Sequence, residues 1–254
     1  MKKFFRLIYG VLSYTIFLGT YTYLVAFLAN WGVPKTIDSG SIIEPWTAGV
    51  INFLLITLFA VQHSVMARKG FKQWLNRFIS GEIERSTYVL VSSLMFIIIF
   101  IFWRPMPEVI WSTNTGIVRT ALLTLMISGF AFAVVSSFMI NHFELFGLQQ
   151  VYNAFFNKEI TPLSFRTPLA YKLVRHPIQL GQMIGVLVTP DLTVGHLIFG
   201  AGMALYIFIG IYFEERDLMR RFGEQYAAYR ESVPQILPAP NPPKTYMKHT
   251  IYLP

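Results

Sequence analysis

Four long apolar stretches constrain this chain more than any other feature of its sequence. They lie at residues 7–29, 46–67, 87–103 and 118–140, and each supplies roughly the 17 to 25 positions that a transmembrane helix needs. Over the whole chain 54% of the residues are hydrophobic and only 13% are charged. Helices satisfy their own backbone polar groups, which lipid cannot do. The sequence therefore predicts an all-α fold, an integral membrane helical bundle.

A further apolar region near the C-terminus predicts a C-terminal helical hairpin. It is interrupted by Pro190, Asp191 and Thr193. Proline and a charged residue both disfavour a continuous helix in the membrane at that point. We therefore expect a short membrane segment at about 177–190, a turn, and a full-length segment at about 193–213, which makes about five to six membrane segments in all.

The distribution of basic residues predicts which side each loop faces. Of the 21 lysines and arginines, only Lys35, Arg104 and Arg119 fall in one set of loops. All the others lie in the opposite set of loops or in the terminal segments. Short cytoplasmic loops are enriched in basic residues. The asymmetry predicts that both termini are cytoplasmic and that the chain crosses the membrane an even number of times, so the hairpin has to cross and return.

The remaining features indicate a single membrane domain over residues 1–254. No internal repeat, low-complexity tract or flexible linker divides the chain. Residues 214–240 are predicted to form a cytoplasmic amphipathic segment, because apolar side chains recur there at helical spacing. That stripe consists of Leu218, Phe222, Tyr226 and Tyr229. The proline-rich tail that follows has no predicted role.

Composition and spacing disfavour several classes of function. The net charge of +8 comes from basic residues that flank apolar stretches, so it does not indicate nucleic-acid binding. The chain has no cysteine, which excludes disulfides and cysteine nucleophiles. No HxxxH or HExxH pair occurs, and we expect no metal. Gly200 and Gly202 lie in an apolar stretch and predict helix packing rather than dinucleotide binding, while Gly181 and Gly185 predict a close contact between two helices.

Several ionisable side chains are predicted to gather near the cytoplasmic ends of the membrane segments. Such groups are costly at membrane depth and therefore mark candidate functional sites. They are His63, His142, Arg175, His176, Glu214 and Glu215. A shared pocket that faces the cytoplasm would explain their convergence. The alternative is that each group lies at the headgroup boundary and binds a helix end or a lipid phosphate.

Motifs around the hairpin resemble those of a known superfamily. Three of them bracket it: RHPIQLG at 175–181, EERDL at 214–218 and FGEQYAAYRESVP at 222–234. Together they resemble the isoprenylcysteine carboxyl methyltransferase superfamily of membrane enzymes. Four further motifs are similar to the bacterial methanethiol S-methyltransferases: QHSVMAR at 62–68, ERSTYVL at 84–90, NHFELFGL at 141–148 and TPDLTVGHLIF at 189–199. The second resemblance covers nearly the whole chain.

The resemblance implies S-adenosylmethionine as cofactor and indicates which residues would bind it. They are Tyr171, Arg175, His176, Pro177, Ile178, Gln179, Glu214 and Glu215. Gln179 stands where the superfamily often has tyrosine. The superfamily also tends to carry an arginine shortly before the acidic pair to engage a carboxylate substrate, whereas residues 210–213 contain no cation. A small neutral thiol that enters through an apolar pocket suits this chain better.

The expected activity is methyl transfer from S-adenosylmethionine to methanethiol, giving dimethyl sulfide. His142 and His63 are the candidate catalytic residues, as base or substrate positioner, because a free thiol is mostly protonated at neutral pH. We expect the bacterial inner membrane, an active site that faces the cytoplasm, and membrane lipid as a partner. Two alternatives stay open. The same fold could methylate a lipid, a larger thiol or a prenylcysteine, or the chain could be a non-enzymatic NnrU-like membrane protein.

Overall fold

The computed structural model describes residues 1–159 and 165–238 and consists almost entirely of helices. Its elements are, in chain order, α1 (Lys2–Leu28), α2 (Pro45–Met66), α3 (Lys69–Leu75), α4 (Gly81–Phe102), β1 (Val109–Ser112), α5 (Gly116–Ile140), α6 (His142–Leu145), α7 (Leu148–Phe156), α8 (Pro177–Leu187), β2 (Asp191–Thr193), α9 (Val194–Phe222) and α10 (Glu224–Ser232). A 3-10 turn at Leu169–Lys172 precedes α8.

Within the described residues, five helices are long and apolar enough to cross a membrane, namely α1, α2, α4, α5 and α9. The apolar helix α8 is shorter, with 11 residues. This architecture confirms the predicted all-α membrane bundle. Some of these helices extend beyond the predicted membrane segments. Helix α1 begins at Lys2, α4 begins at Gly81 and α9 ends at Phe222, because charged residues continue these helices beyond their apolar stretches.

The C-terminal hairpin is present, and α8 with the residues after it extends from near the end of α9 to its beginning. His176, just before α8, lies 3.1 Å from Glu215 near the end of α9. At the other end of α8 the chain straightens and enters β2, where Asp191 pairs with Ser112. The 11-residue helix and the extended residues after it therefore span the same distance as the first part of the longer helix α9.

One end of the bundle, which we call the sheet end, is closed by the two short strands. β1 pairs antiparallel with β2 at the hairpin turn, with Ser112 opposite Asp191. Arg119 at the start of α5 donates two hydrogen bonds to the Asp191 carboxylate, at 2.9 and 2.6 Å. Thr193 donates from Oγ1 to Asp38 Oδ1 at 2.7 Å. The connections α1–α2, α4–α5 and α8–α9 thus lie together.

Aromatic packing fills the bundle next to the sheet end. Phe27, Trp103 and Phe199 are fully buried, and Phe100 nearly so. The ring centroids of Phe27 and Phe100 lie 5.1 Å apart, and those of Trp103 and Phe199 lie 5.6 Å apart. In a bilayer such contacts stabilise by close van der Waals packing, since lipid is as apolar as the side chains. They join α1, α4 and α9 into one core.

Helices α5 and α8 approach each other closely because glycines lie at their contact. A Cβ added at Gly181 would lie 2.5 Å from the carbonyl oxygen of Gly129. One added at Gly185 would lie 2.7 Å from the ring of Phe130. Small residues at helix contacts are typical of membrane proteins. The close helix contact predicted at Gly181 and Gly185 is therefore confirmed.

The opposite end, which we call the site end, collects the remaining connections. It contains the start of α1, the α2–α4 connection, residues 141–159 and 165–176, and the end of α9 with α10. Arg6 of α1 forms an ion pair with Glu82 of α4 there. These are the segments that carry most of the basic residues. Their assignment to the cytoplasm is a prediction that rests on the basic residues alone.

The predicted amphipathic stripe packs on the protein itself. The chain turns at Gly223, whose φ of +52° favours glycine, and α10 folds back toward α9. Tyr226 and Tyr229 of α10 are buried, with Leu218 and Phe222 of α9 packed against them. The stripe thus spans two helices instead of one. The end of the predicted amphipathic segment and most of the proline-rich tail lie outside the described residues.

Candidate active site

An ion-pair cluster holds the base of the hairpin together at the site end. Arg175 donates from Nε to Glu215 Oε1 at 2.9 Å, and its Nη2 lies 2.8 Å from the same oxygen. His176 Nε2 lies 3.1 Å from it as well. The side chains of Arg175 and Glu215 are only 9% and 8% exposed. A buried carboxylate and guanidinium each need the other, so this pair is well placed to fix the structure.

Arg175 also anchors the chain that follows α10. Its Nη1 donates to the carbonyl oxygens of Arg230 and Val233 at 2.8 and 2.6 Å. Its backbone N–H donates to the carbonyl oxygen of Pro234 at 2.9 Å. The RHP motif and the Val-Pro at the end of the last motif therefore form one packed unit, although they are far apart in sequence.

Pro177 and Ile178 set the direction of α8. Pro177 is buried and occupies the first turn of the helix, where a missing N–H costs nothing. Ile178 is half-buried. One residue further, the amide nitrogen of Gln179 donates to Glu214 Oε2 at 3.0 Å. The start of α8 thus directs Gln179 toward α9.

Glu214 differs from its neighbour because its side chain is 48% exposed. Besides Gln179, the ring nitrogen Nδ1 of His176 lies 3.7 Å from Glu214 Oε2. Arg85 of α4 interacts with the carboxylate electrostatically. Among the described residues no hydrogen bond reaches Oε1, so one carboxylate oxygen is open to a ligand.

Tyrosines from three elements lie near this carboxylate. Tyr88 of α4, Tyr206 of α9 and Tyr171 of the 3-10 turn each interact electrostatically with Glu214. Burial, and after it the charge of Glu214, raises the pKa of the Tyr171 hydroxyl above its usual range, so this hydroxyl stays protonated. Tyr229 donates to the backbone carbonyl of Tyr171 at 2.6 Å and fixes the turn. We call the space between these side chains the Glu214 cleft.

His63 of α2 lies among the same side chains, with its ring centroid 4.7 Å from that of Tyr88. Its Nδ1 lies 3.0 Å from Ser92 Oγ. Because the Ser92 hydroxyl already donates to the carbonyl of Tyr88, it accepts the Nδ1 proton of His63. The Nε2 lone pair has no hydrogen-bond partner among the described residues. This neutral tautomer is the one that a proton acceptor needs.

Both ring nitrogens of His142 are engaged. Nδ1 lies 2.6 Å from Ser137 Oγ, whose hydroxyl donates to the carbonyl of Val134 and so accepts from the histidine. Nε2 lies 2.7 Å from the hydroxyl of Tyr14 and accepts its proton. The ring stacks on Phe138 at 3.9 Å. Burial lowers the pKa of His142, which keeps it neutral. Its contacts join α5 to α1.

Arg85, Tyr88 and Tyr206 had no role assigned from the sequence. Arg85 and Tyr88 belong to the ERSTYVL motif, but that motif does not indicate what either residue does. The Arg85 guanidinium lies 4.9 Å from the centre of the Tyr88 ring and donates from Nε to the carbonyl of Leu145 at 2.6 Å. Arg85 therefore links the segment after α5 to the cleft.

Cations border the cleft even though residues 210–213 contain none. Arg68, after α2, lies 4.1 Å above the ring of Phe213 and interacts electrostatically with Tyr206. Arg85 approaches from α4. Residues 210–213 of α9 thus supply no cation to the cleft, but Arg68 and Arg85 do.

No group of three or more histidine, aspartate or glutamate side chains that could hold a metal ion occurs in residues 1–159 and 165–238. The candidate site is instead a carboxylate, a histidine with an open nitrogen, an amide and several tyrosines. Such a set binds a cation or a polar organic group through hydrogen bonds and aromatic faces.

The fold and the cleft define a class, the polytopic helical membrane proteins with a polar site at one end. Within that class the NnrU protein family model matches residues 52–239, and the chain belongs to this family. It is 48% identical to "Methanethiol S-methyltransferase 1" of Bradyrhizobium diazoefficiens over 236 residues, which are 93% of this chain and 83% of the relative. It is 46% identical to the methanethiol S-methyltransferase of Mycobacterium tuberculosis over 241 residues, 95% of this chain and 99% of the relative.

A third relative is the methanethiol S-methyltransferase of Crocosphaera subtropica, at 44% identity over 94% of this chain and 93% of the relative. These relatives confirm the resemblance inferred from the motifs, and the chain is a methyltransferase of the same family. A methyltransferase requires a methyl donor. No solved structure gives a significant match to this one.

Proposed function

We propose that the protein transfers the methyl group of S-adenosylmethionine to methanethiol in the Glu214 cleft, giving dimethyl sulfide. The observation that carries the proposal is the half-exposed carboxylate of Glu214 among Tyr88, Tyr171 and Tyr206. It occurs in a chain that is 41–48% identical to relatives named methanethiol S-methyltransferase.

The residues of the cleft fit S-adenosylmethionine. This donor carries a sulfonium and an ammonium, and it supplies an electrophilic methyl group when bound. A carboxylate with one open oxygen suits a cation, and tyrosine faces attract cations as well. Glu214, Gln179 and Tyr171 would bind the donor directly. Arg175, His176 and Glu215 would hold these groups in position through the ion-pair cluster, and Pro177 and Ile178 through the start of α8.

His63 is the residue that we assign to the thiol proton. A thiol attacks poorly until it becomes a thiolate, and near neutral pH an alkyl thiol is mostly protonated. The Nε2 lone pair of His63 can accept that proton while Ser92 holds Nδ1–H. The resulting thiolate would be the nucleophile toward the methyl group that the bound donor supplies. His142 would act in this scheme by positioning helices.

The engagement of the nearby cations favours a small neutral thiol. The Glu214 cleft lies where α2, α4, α8 and α9 meet, and partial burial there strengthens the interaction between charges of opposite sign. Arg68 and Arg85 are engaged with Phe213 and Tyr88. A substrate with a carboxylate would have to break these contacts, whereas methanethiol would leave them intact.

The site end is proposed to face the cytoplasm of a bacterial inner membrane. It carries most of the lysines and arginines, which short cytoplasmic loops retain. S-adenosylmethionine is a water-soluble metabolite that would enter from that side.

The direct test is headspace detection of dimethyl sulfide from membranes that contain the protein, supplied with S-adenosylmethionine and methanethiol. The matched control is Glu214→Gln, which keeps the size and hydrogen-bonding ability of the side chain but removes its charge. A signal that depends on Glu214 supports the proposal. Donor binding without dimethyl sulfide would point to another acceptor, such as a lipid, a larger thiol or a prenylcysteine. No donor binding would contradict methyl transfer in this cleft.

A further inference from the structure

Two cations at the sheet end have no acidic partner in the part of the chain that the structure describes. Arg119 is neutralised there by Asp191. Lys35 lies near the Arg104–Pro105 segment, because a Cβ added at Gly40 would lie 3.0 Å from Lys35 Nζ and 3.8 Å from the ring of Pro105. Neither cation forms an ion pair with an acidic side chain among the described residues. The segments 160–164 and 239–254 contain no aspartate or glutamate either. Basic residues are rare in this set of loops, so two adjacent cations without an acidic partner require an explanation.

Asn52 holds the backbone of Arg104 in place. Asn52 donates to the carbonyl of Arg104 at 2.7 Å and accepts its backbone N–H at 2.9 Å. The Nε of Arg104 is buried without a hydrogen-bond partner. Burial, and after it the charge of Arg104, lowers the pKa of Lys35. A nearby anion would favour the charged forms of both residues.

Lys35 also lies at one end of an apolar groove on the membrane surface of the bundle. The groove has a volume of about 610 Å³ and runs between Ile16, Gly19 and Thr20 of α1 and Ile97 and Ile101 of α4. This volume is in the usual range of ligand sites. Gly19 leaves the groove open, because a Cβ added there would meet no atom within 4 Å.

We propose that this groove binds one anionic phospholipid, with an acyl chain between α1 and α4 and its phosphate between Lys35 and Arg104. The two cations attract the single negative charge of a phosphate diester. The apolar groove that continues from Lys35 matches an acyl chain, which a free anion lacks. Because the groove opens to the hydrocarbon, the bilayer itself supplies this ligand. The site lies at the opposite end of the bundle from the Glu214 cleft.

The test uses the purified full-length protein in a neutral detergent, with thermal unfolding as the readout. Phosphatidylglycerol added to the detergent solution should raise the Tm of the protein, whereas phosphatidylcholine and inorganic phosphate should not. In the double variant Lys35→Gln, Arg104→Gln, we expect the apparent affinity for phosphatidylglycerol to fall about tenfold or more, since each basic residue near an anionic headgroup contributes measurably. The backbone at Arg104 is held by Asn52, so this variant should fold.

A second variant tests the acyl chain separately. Gly19→Leu fills the groove without meeting a protein atom at its Cβ, and it should abolish the phosphatidylglycerol effect while leaving the Tm in detergent alone unchanged. Gly49→Leu in α2 is the matched control, because its Cβ is equally free of contacts but lies outside the groove. The proposal is overturned if phosphatidylcholine or inorganic phosphate raises the Tm as strongly as phosphatidylglycerol. It is also overturned if the Lys35→Gln, Arg104→Gln double variant or the Gly19→Leu variant responds to phosphatidylglycerol like the wild type.

Discussion

The carboxylates of Glu214 and Glu215 are adjacent in α9 and lie in opposite surroundings. The Glu215 side chain is 8% exposed and bound by Arg175, whereas the Glu214 side chain is 48% exposed and faces the cleft. Neighbouring residues of a helix point about 100° apart, since 3.6 residues complete a turn. One carboxylate can therefore stabilise the fold while the other stays open to a ligand.

Replacing Glu214 should affect donor binding more than folding. In Glu214→Gln we expect the KM for S-adenosylmethionine to rise about tenfold or more, because a charged hydrogen bond contributes about 1.5 to 3 kcal/mol. The Tm should change little, since the side chain is half exposed. Steady-state kinetics at saturating methanethiol would measure the change. An unaltered KM would show that Glu214 does not contact the donor.

The neighbouring substitution should have the opposite effect. Glu215→Gln leaves Arg175 buried without its counter-charge, and breaking a buried pair costs about 3 to 5 kcal/mol. We expect a clear loss of Tm in detergent, with release of the segment after α10 that Arg175 anchors. Limited proteolysis near residue 230 would report that release. Equal stability of the Glu214→Gln and Glu215→Gln proteins would contradict the division of roles.

Replacing His63 should reduce activity. His63→Ala removes the free Nε2, and we expect kcat to fall about a hundredfold or more at neutral pH, as for the loss of a general base. Activity should recover as the pH rises, because the thiol then ionises without help. The pH profile of dimethyl sulfide production measures this. Ser92→Ala, which removes only the group that fixes the tautomer, should cause a smaller loss.

His142 should make stability sensitive to acid. Burial lowers its pKa in the folded protein, while the unfolded chain has the ordinary value of 6.5. As the pH falls below about 6.5, the unfolded state gains a proton that the folded state resists, so stability is lost. Comparing Tm at about pH 7.5 and about pH 5, we expect a larger fall for the wild type than for His142→Gln. Parallel falls in the two proteins would remove His142 as the cause.

The glycines between α5 and α8 should not tolerate larger side chains. Gly181→Leu forces a Cβ to within 2.5 Å of the Gly129 carbonyl oxygen, and overpacking of this kind costs about 1 to 3 kcal/mol or more. Gly210→Leu in α9 is the control, because its Cβ would meet no atom within 4 Å. Thermal unfolding of the two variants measures the difference. A normal Tm for Gly181→Leu would mean that the helices can separate at no cost.

Much of the fold follows from local sequence properties. Long apolar stretches predict the spanning helices, and the interruption at Pro190 predicts the hairpin. The end of α9 could not be predicted from hydropathy, because residues 214–222 are largely charged while packing against α10 keeps them helical. Hydropathy predicts where a helix leaves the membrane and not where it ends.

The candidate site was only partly predictable for a related reason. The resemblance identified Glu214 and the RHP motif, which are close in the fold. The open nitrogen of His63 depends on Ser92, on another helix, and on the hydroxyl of Ser92 being committed to Tyr88. A tautomer set by such a chain of hydrogen bonds has no signature in local sequence. The same holds for Tyr206, which looks like any other aromatic residue of an apolar helix.

The pairing of β1 with β2 has a mechanical consequence. Together with the bidentate contact between Arg119 and Asp191, it fastens the turn of the hairpin to the α4–α5 connection, so the two helix pairs cannot part there. The helices are therefore fixed relative to one another at the sheet end. Any movement that admits a methyl donor and releases its product would have to separate them at the site end, where α10 and the Arg175 ion pairs hold them together.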